Sequence, residues 1–79
     1  MIHATNAWNP TGYNLDEVPG TRLFYAHAEA LSGPRTYVFL GTQHHLTFVA
    51  DFAQYVPSTD LRERVLREIG LYPHLVDAA

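Results

Sequence analysis

Two adjacent histidines, His44 and His45, have the clearest capacity for chemistry in this sequence. Imidazole is the commonest metal ligand in proteins and titrates near neutrality, so the pair suggests metal binding or proton transfer. Neighbouring residues of a strand point to opposite faces, however, and only a loop would let both rings reach one ion. Candidates for a third ligand are scattered along the chain, at His27, Asp51 and His74. We therefore favour two polar residues of a hairpin loop, with metal or small-ligand binding as the alternative.

Other reactive groups are sparse. The chain has no cysteine, which removes thiolate zinc sites, disulfides and cysteine nucleophiles. Neither Ser32 nor Ser58 lies in a G-x-S-x-G turn, and the five glycines are isolated from one another, so no phosphate-binding loop is present. A chain of 79 residues also has little room for a preformed pocket of several hundred Å³. We expect a protein that is not an enzyme and carries no cofactor.

The charge balance argues against nucleic acid as the main partner. The formal net charge is −3, from eight acidic residues and five arginines, whereas domains that bind duplexes normally carry a basic excess. Three of the arginines, Arg62, Arg64 and Arg67, are close together in sequence. Acidic residues four positions away accompany Arg64 and Arg67, which favours a solvated, ion-paired helix surface over a binding site for phosphates.

Composition also bears on origin and location. Lysine is absent while arginine, alanine, leucine and valine are frequent, a bias typical of GC-rich coding sequences, so we expect a bacterial or phage source. The first 20 residues lack the basic and apolar regions of a signal peptide, and nowhere do about 18 apolar residues run together. We therefore expect a cytoplasmic protein with no membrane partner.

The elements that must position these side chains centre on residues 36–52. Two apolar segments, 37–40 and 46–52, flank a short polar gap that begins at Gly41, and this pattern predicts a β-hairpin. The second segment has apolar residues at every other position, which places them on one face of a strand: Leu46, Phe48, Ala50 and Phe52. It also fits a helix, but its β-branched and aromatic content favours strand.

Residues 21–31 are ambiguous between strand and helix. Their alanines favour helix, whereas Leu23-Phe24-Tyr25 favours strand. A tight turn at residues 32–35, with Pro34 at its second position, would feed directly into the next apolar run, which makes a paired strand the simpler interpretation. Residues 21–52 then form a three-stranded antiparallel meander, and a face of small alanines would let a helix approach it closely.

Residues 58–70 predict a helix that covers one face of this sheet. Ser58 or Thr59 can cap its start, and Gly70 follows its last periodic residue. Its apolar positions predict the buried stripe Leu61, Val65, Leu66 and Ile69.

We expect a single small α+β domain with less regular ends. Residues 1–20 form an irregular arm, and residues 71–79 form a tail that packs against the domain through Leu71, Tyr72 and Leu75 and then frays.

A surplus of apolar side chains on the sheet gives the clearest functional hypothesis. One helix can cover only one face, and Tyr37 and Phe39 should point away from it. We expect Tyr25 to lie beside them, with Trp8 and Tyr13 of the arm as partial cover. These five residues are the predicted partner-binding surface, in a homodimer or in a regulatory or inhibitory protein that binds another protein.

The histidine pair gives a first testable prediction. If both are ordinary loop residues, a His44→Gln/His45→Gln variant should melt at the same temperature as the parent protein, because neither ring carries a structural contact. Purified parent protein should contain no stoichiometric metal by elemental analysis. About one zinc, nickel or iron per chain, lost in the variant, would instead establish a metal site.

Overall fold

A computed structural model describes residues 13–42 and 45–78 of the chain. These residues form an antiparallel sheet in the order β1-β2-β3-β4, followed by two short helices. The strands are β1 (Asp16–Glu17), β2 (Leu23–Ala30), β3 (Gly33–Thr42) and β4 (His45–Phe52). The helices are α1 (Ser58–Arg64), which continues as a π-helical turn (Val65–Ile69), and α2 (Pro73–Val76).

The small α+β class, the antiparallel sheet and the C-terminal helix are confirmed, but the number of strands was wrong. The additional strand, β1, lies within the segment predicted as an irregular arm and pairs with Phe24 and Tyr25. Two residues are too short for a periodic pattern to reveal. Its position is fixed instead by its flanks, because Leu15 and Val18 are both buried.

The turn between β2 and β3 is shorter than predicted. It consists of Leu31 and Ser32, and Gly33 already pairs with Ala30. Gly33 has φ 110°, a conformation that side-chain-bearing residues rarely adopt, so glycine suits this first position of β3. Pro34 therefore lies within the strand rather than in the turn.

A β-bulge interrupts the alternation predicted for β4. Val38 pairs with Ala50 but the next residue, Phe39, pairs with Phe48, which leaves Val49 as an extra residue. The bulge shifts the side chains by one position. Leu46 and Phe48 consequently lie on one face, whereas Ala50 and Phe52 pack on the other, so the prediction that all four share a face was wrong.

The face that carries the helices contains the larger core. Its fully buried apolar side chains come from β2, β3, the loop before α1 and the three helical segments: Leu23, Val38, Val56, Leu61, Val65 and Val76. Alanines do not provide the contact with the helix as we predicted, because Ala26 packs with Phe24 on the opposite face.

A buried hydroxyl joins the sheet to the loop before α1. Thr36 donates to the carbonyl of Gln54 (2.7 Å) and accepts the backbone N–H of Val56 (2.9 Å). His27 adds a second link, since its Nε2 donates to the carbonyl of Val56 over 2.8 Å. These bonds fix Val56 in the core and direct the chain into α1.

The helix starts and winds differently from the prediction. Pro57 occupies the N-cap position and no side chain caps α1, so neither Ser58 nor Thr59 has the predicted capping role. Pro57 already has a fixed φ, and its carbonyl accepts the N–H of Asp60 (2.9 Å). The helical conformation ends at Gly70, with φ 85°, as predicted.

The predicted buried stripe holds for part of its length. Leu61 and Val65 are fully buried and Leu66 packs beside them, whereas Ile69 is 41% exposed. The N–H of Gly70 reaches the carbonyl of Val65, five residues earlier, over 3.2 Å. This wider winding turns Ile69 away from the position that α-helical geometry would give it.

The C-terminal segment does not fray as predicted, because hydrogen bonds and a buried side chain fix it to the domain. Val76 is fully buried and its carbonyl accepts the N–H of Arg22 (2.7 Å), while Ala78 donates to Gly20 (3.0 Å). Leu71 packs as predicted, but Tyr72 is 66% exposed and Leu75 is also exposed. The anchor of this segment is therefore Val76, which the prediction omitted.

A salt bridge also joins this C-terminal segment to α1. Arg62 donates through Nε to Oδ1 of Asp77 (2.7 Å) and through Nη2 to Oδ2 (2.8 Å). The hydrogen bond from Arg62 is the main cause that lowers the pKa of Asp77 below its ordinary value, and the positive charge adds to it.

The first prediction from the fold compares two aliphatic residues of the same helical segment. Val65→Asn should lower the free energy of unfolding by about 3 kcal/mol, because it buries an amide without a partner. Ile69→Asn is the matched control and should cost less than about 1 kcal/mol, because its side chain reaches solvent. Urea unfolding measures both. Equal losses would contradict the assigned buried face.

A second prediction uses the pH dependence of the Arg62–Asp77 pair. Since the pKa of Asp77 is lower in the folded state, its contribution to stability is complete above the unfolded pKa, near 4, and is lost as the pH falls through the folded value. Asp77→Asn should therefore melt at a lower temperature than the parent at pH 7, and the two melting temperatures should converge once the pH falls below the lowered folded-state pKa of Asp77. Thermal melts across this range test it; a gap that persists in acid would contradict it.

Candidate protein-binding face

The sheet face opposite the helices carries a cluster of four aromatic side chains. They are Tyr37 and Phe39 from β3, Phe48 from β4 and Tyr13 from the segment before β1, and we call this set the aromatic face. They line an open groove of about 320 Å³. Their rings contact one another in two pairs, Tyr13 with Tyr37 (centroids 5.3 Å apart, tilted) and Phe39 with Phe48 (5.6 Å, edge to face).

A smaller core lies beneath the aromatic face and holds it in place. Leu15, Phe24 and Ala26 are buried there, together with Phe39. Phe24 and Phe39 are opposite each other on β2 and β3, so the pairing register fixes their relative position. The groove therefore rests on two central strands and a packed layer, which makes it a rigid surface.

The four aromatic residues differ in how far their side chains are exposed to solvent. Phe39 is only 8% exposed, whereas Phe48 is 56% exposed and Tyr13 is 42% exposed. Phe39 thus belongs mainly to the smaller core, and Phe48 is the most exposed ring of the four. A substitution at Phe39 would report on folding, and a substitution at Phe48 reports on the surface.

The tyrosine hydroxyls supply the polar rim of this groove. Partial desolvation, followed by the proximity of Tyr13 and Asp51, raises the pKa of Tyr37 above its ordinary value of 10.0. The Tyr37 phenol is therefore neutral at physiological pH and acts as a hydrogen-bond donor or acceptor.

The predicted binding residues are distributed unevenly around this site. Tyr13, Tyr37 and Phe39 come together as expected, and Trp8 lies outside the described residues. The placement of Tyr25 beside them was wrong. Tyr25 pairs with Val38 and packs with the core under the helices, because it alternates with Phe24 and Ala26 along β2.

Phe48 is the residue that sequence reasoning missed. Strict alternation assigned it to the same face as Ala50 and Phe52, and only the bulge at Val49 separates them. The sequence contained a signal, since Phe48-Val49-Ala50 is a run of three apolar residues where alternation requires a polar residue in the middle.

The histidines do not assemble a metal centre with the residues that the structure describes. His45 is exposed at the start of β4, and His44 lies outside the described residues. Of the candidate third ligands, His27 is bound to the Val56 carbonyl, Asp51 forms an ion pair with Arg35 (3.4 Å) and His74 stacks on Tyr72. Residues 13–42 and 45–78 contain no group of three His, Cys, Asp or Glu side chains that could hold an ion. Metal binding by the His44-His45 pair stays a hypothesis.

The helix arginines are ion-paired, as predicted for a solvated surface. Arg64 pairs with Glu68 and also lies over the ring of Phe52, 4.8 Å from its centroid. Arg67 lies 3.5 Å from Glu68 and 4.0 Å from Glu63. Carboxylates therefore neutralise the local positive charge.

Within the described parts of the chain, no helix is long and apolar enough to cross a membrane. Comparison of the chain with protein-family models, with curated proteins and with solved structures found no match, so its own residues must carry any functional assignment.

Proposed function

We propose that this protein is a non-enzymatic binding module that holds another protein against its aromatic face. The observation that carries the proposal is the position of Phe48, more than half exposed above the buried ring of Phe39 on the sheet face opposite the helices. Large aromatic side chains backed by a packed layer are the usual energetic centres of protein interfaces.

The rigidity of the support favours binding. Tyr37 and Phe39 lie on β3, which pairs along its length with β2 and β4, and Phe48 packs edge to face on Phe39. Side chains held in this way lose little conformational freedom when a partner covers them. Each Å² of apolar surface removed from water contributes about 25 cal/mol, so covering the exposed rings supplies a driving force.

The composition of the groove favours an apolar protein segment over a reacting substrate. Its four lining residues include no carboxylate, imidazole or hydroxyl nucleophile with an adjacent base, and its only polar groups are two phenols. The partner that fits is a chain that presents aliphatic or aromatic side chains to the rings and a backbone carbonyl to a tyrosine hydroxyl. A cytoplasmic regulatory or inhibitory protein from a bacterium or phage, which acts by covering a surface of its target, is the biological form of this proposal.

A Phe48→Ser variant tests the proposal. It should keep the parent melting temperature within a few degrees, because the ring is exposed, and it should weaken binding of the partner by at least tenfold. Tyr72→Ser is the matched control, since Tyr72 is an aromatic residue of the C-terminal segment that is also more than half exposed. All three immobilised proteins are compared for capture from an extract of the encoding organism, and the captured protein is then purified for titration.

The expected result is a protein retained by the parent and by Tyr72→Ser but lost with Phe48→Ser. If every captured protein is retained equally by the two variants, the aromatic face is not the binding surface. Circular dichroism of Phe48→Ser guards against loss of fold as an explanation.

A further inference from the structure

The outer edge of β4 is open in the part of the chain that the structure describes. In the order β1-β2-β3-β4, β4 pairs with β3 on one side, and no strand among the described residues pairs with its other side. An edge of eight residues presents a row of backbone donors and acceptors that another strand can pair with. Such edges usually carry features that prevent this pairing.

Most of those features are missing from the first half of β4. Residues 45–49, His-Leu-Thr-Phe-Val, contain no proline, arginine, lysine or carboxylate. The strand's one acidic side chain, Asp51, lies beyond them and is paired with Arg35 on β3. In a chain of net charge −3, this stretch is neutral and has two apolar side chains, Leu46 and Phe48, on the aromatic face.

We propose that two copies of this chain associate through this edge, with β4 pairing antiparallel to the partner's β4 about a two-fold axis at Thr47. The bulge at Val49 limits regular pairing to residues 45–49 of each copy. No two side chains of like charge face each other across this pairing, because residues 45–49 contain no arginine, lysine or carboxylate. The sheets of the two copies then form one continuous sheet.

The bulge also selects the register. Directly opposed residues of an antiparallel pair lie on the same face, and an axis at Phe48 would oppose Leu46 with Ala50, which lies on the other face because of Val49. An axis at Thr47 instead places Leu46 of each copy opposite the partner's Phe48, which gives two such pairs on the aromatic face. Aromatic and aliphatic cross-strand pairs of this kind are favourable.

The dimer covers apolar surface that the single chain leaves exposed. A stable interface buries at least roughly 1,000 Å² in total, or about 500 Å² from each copy, which is a tenth of the 5000 Å² surface of one copy. Leu46 and Phe48 of both chains contribute apolar surface to this interface. The two-fold axis runs perpendicular to the sheet. The two aromatic faces therefore become neighbours on the same side of one continuous sheet. This self-association goes beyond the proposed partner binding and does not depend on it.

Charge substitutions at the axis test the dimer. Thr47 is exposed on the face opposite the aromatic face, where it pairs with Leu40, so a charged residue there should leave the fold intact. Thr47→Glu and Thr47→Lys should each raise the dimer dissociation constant at least tenfold in sedimentation equilibrium, since identical charges meet at the axis. An equimolar mixture of the two should recover dimer as a mixed pair. Thr59→Glu, exposed on α1, is the control and should dimerise like the parent protein.

A cysteine at the same position tests the register. The chain contains no cysteine, so Thr47→Cys would carry the only thiol. Opposed residues of an antiparallel pair lie about 4.5–5.5 Å apart at Cα, within the range of a disulfide. Oxidation should therefore convert Thr47→Cys, but not Glu29→Cys on β2, to a covalent dimer.

Three outcomes would overturn the inference: a parent protein that is monomeric at millimolar concentration, charged variants that dimerise normally, or a mixture that fails to recover dimer. None of them excludes capture of a partner through Phe48, because a single chain also exposes that ring. Failure of the two proposals is thus separately visible.

Discussion

The extra residue in β4 determines how this protein divides its apolar side chains. Without the bulge at Val49, Phe48 would point to the same side as Ala50 and Phe52 and would compete with the helices for the larger core. With it, the strand contributes to two separate cores, one under the helices and one under the aromatic face. A four-stranded sheet thereby keeps both of its faces apolar although its helices cover only one of them.

Two buried hydroxyls connect the rest of the chain to this sheet. Thr36 joins the loop before α1 to β3, and Thr21 does the same for the approach to β2, where it donates to the Val18 carbonyl (2.8 Å) and accepts the N–H of Leu23 (2.9 Å). Each hydroxyl uses its donor and an acceptor site on backbone groups, which satisfies polar atoms that would otherwise be costly to bury. Since the helices follow one of these loops, their position on the sheet depends on hydrogen bonds as well as on packing.

Local sequence patterns predicted those parts of the fold that depend on the conformations of residues close together in sequence. The paired strands of residues 21–52 follow from period-two patterning, and the end of the helical segment follows from the left-handed conformation of Gly70. The wrong predictions concern residues whose position is determined by tertiary contacts. Strand β1 is defined by burial of its flanks, and Ile69 is turned outward by π-helical winding. Tyr25 was misplaced because its face follows from the register with β3 and from where the helices pack. Of the aromatic face, three members were predicted, and Phe48 required knowledge of the bulge.

The pairing of residues 20–22 with 76–78 has a consequence for the way this chain folds. It joins the two ends of the described body, whereas the hairpins β2–β3 and β3–β4 join neighbours in sequence. Loop closure makes the distant contact the slower one to form, so the hairpins should assemble first and the end-to-end junction last. Val76 completes the larger core only at that step. Until then the larger core lacks one of its fully buried side chains and its apolar surface is open to water, a condition that favours aggregation.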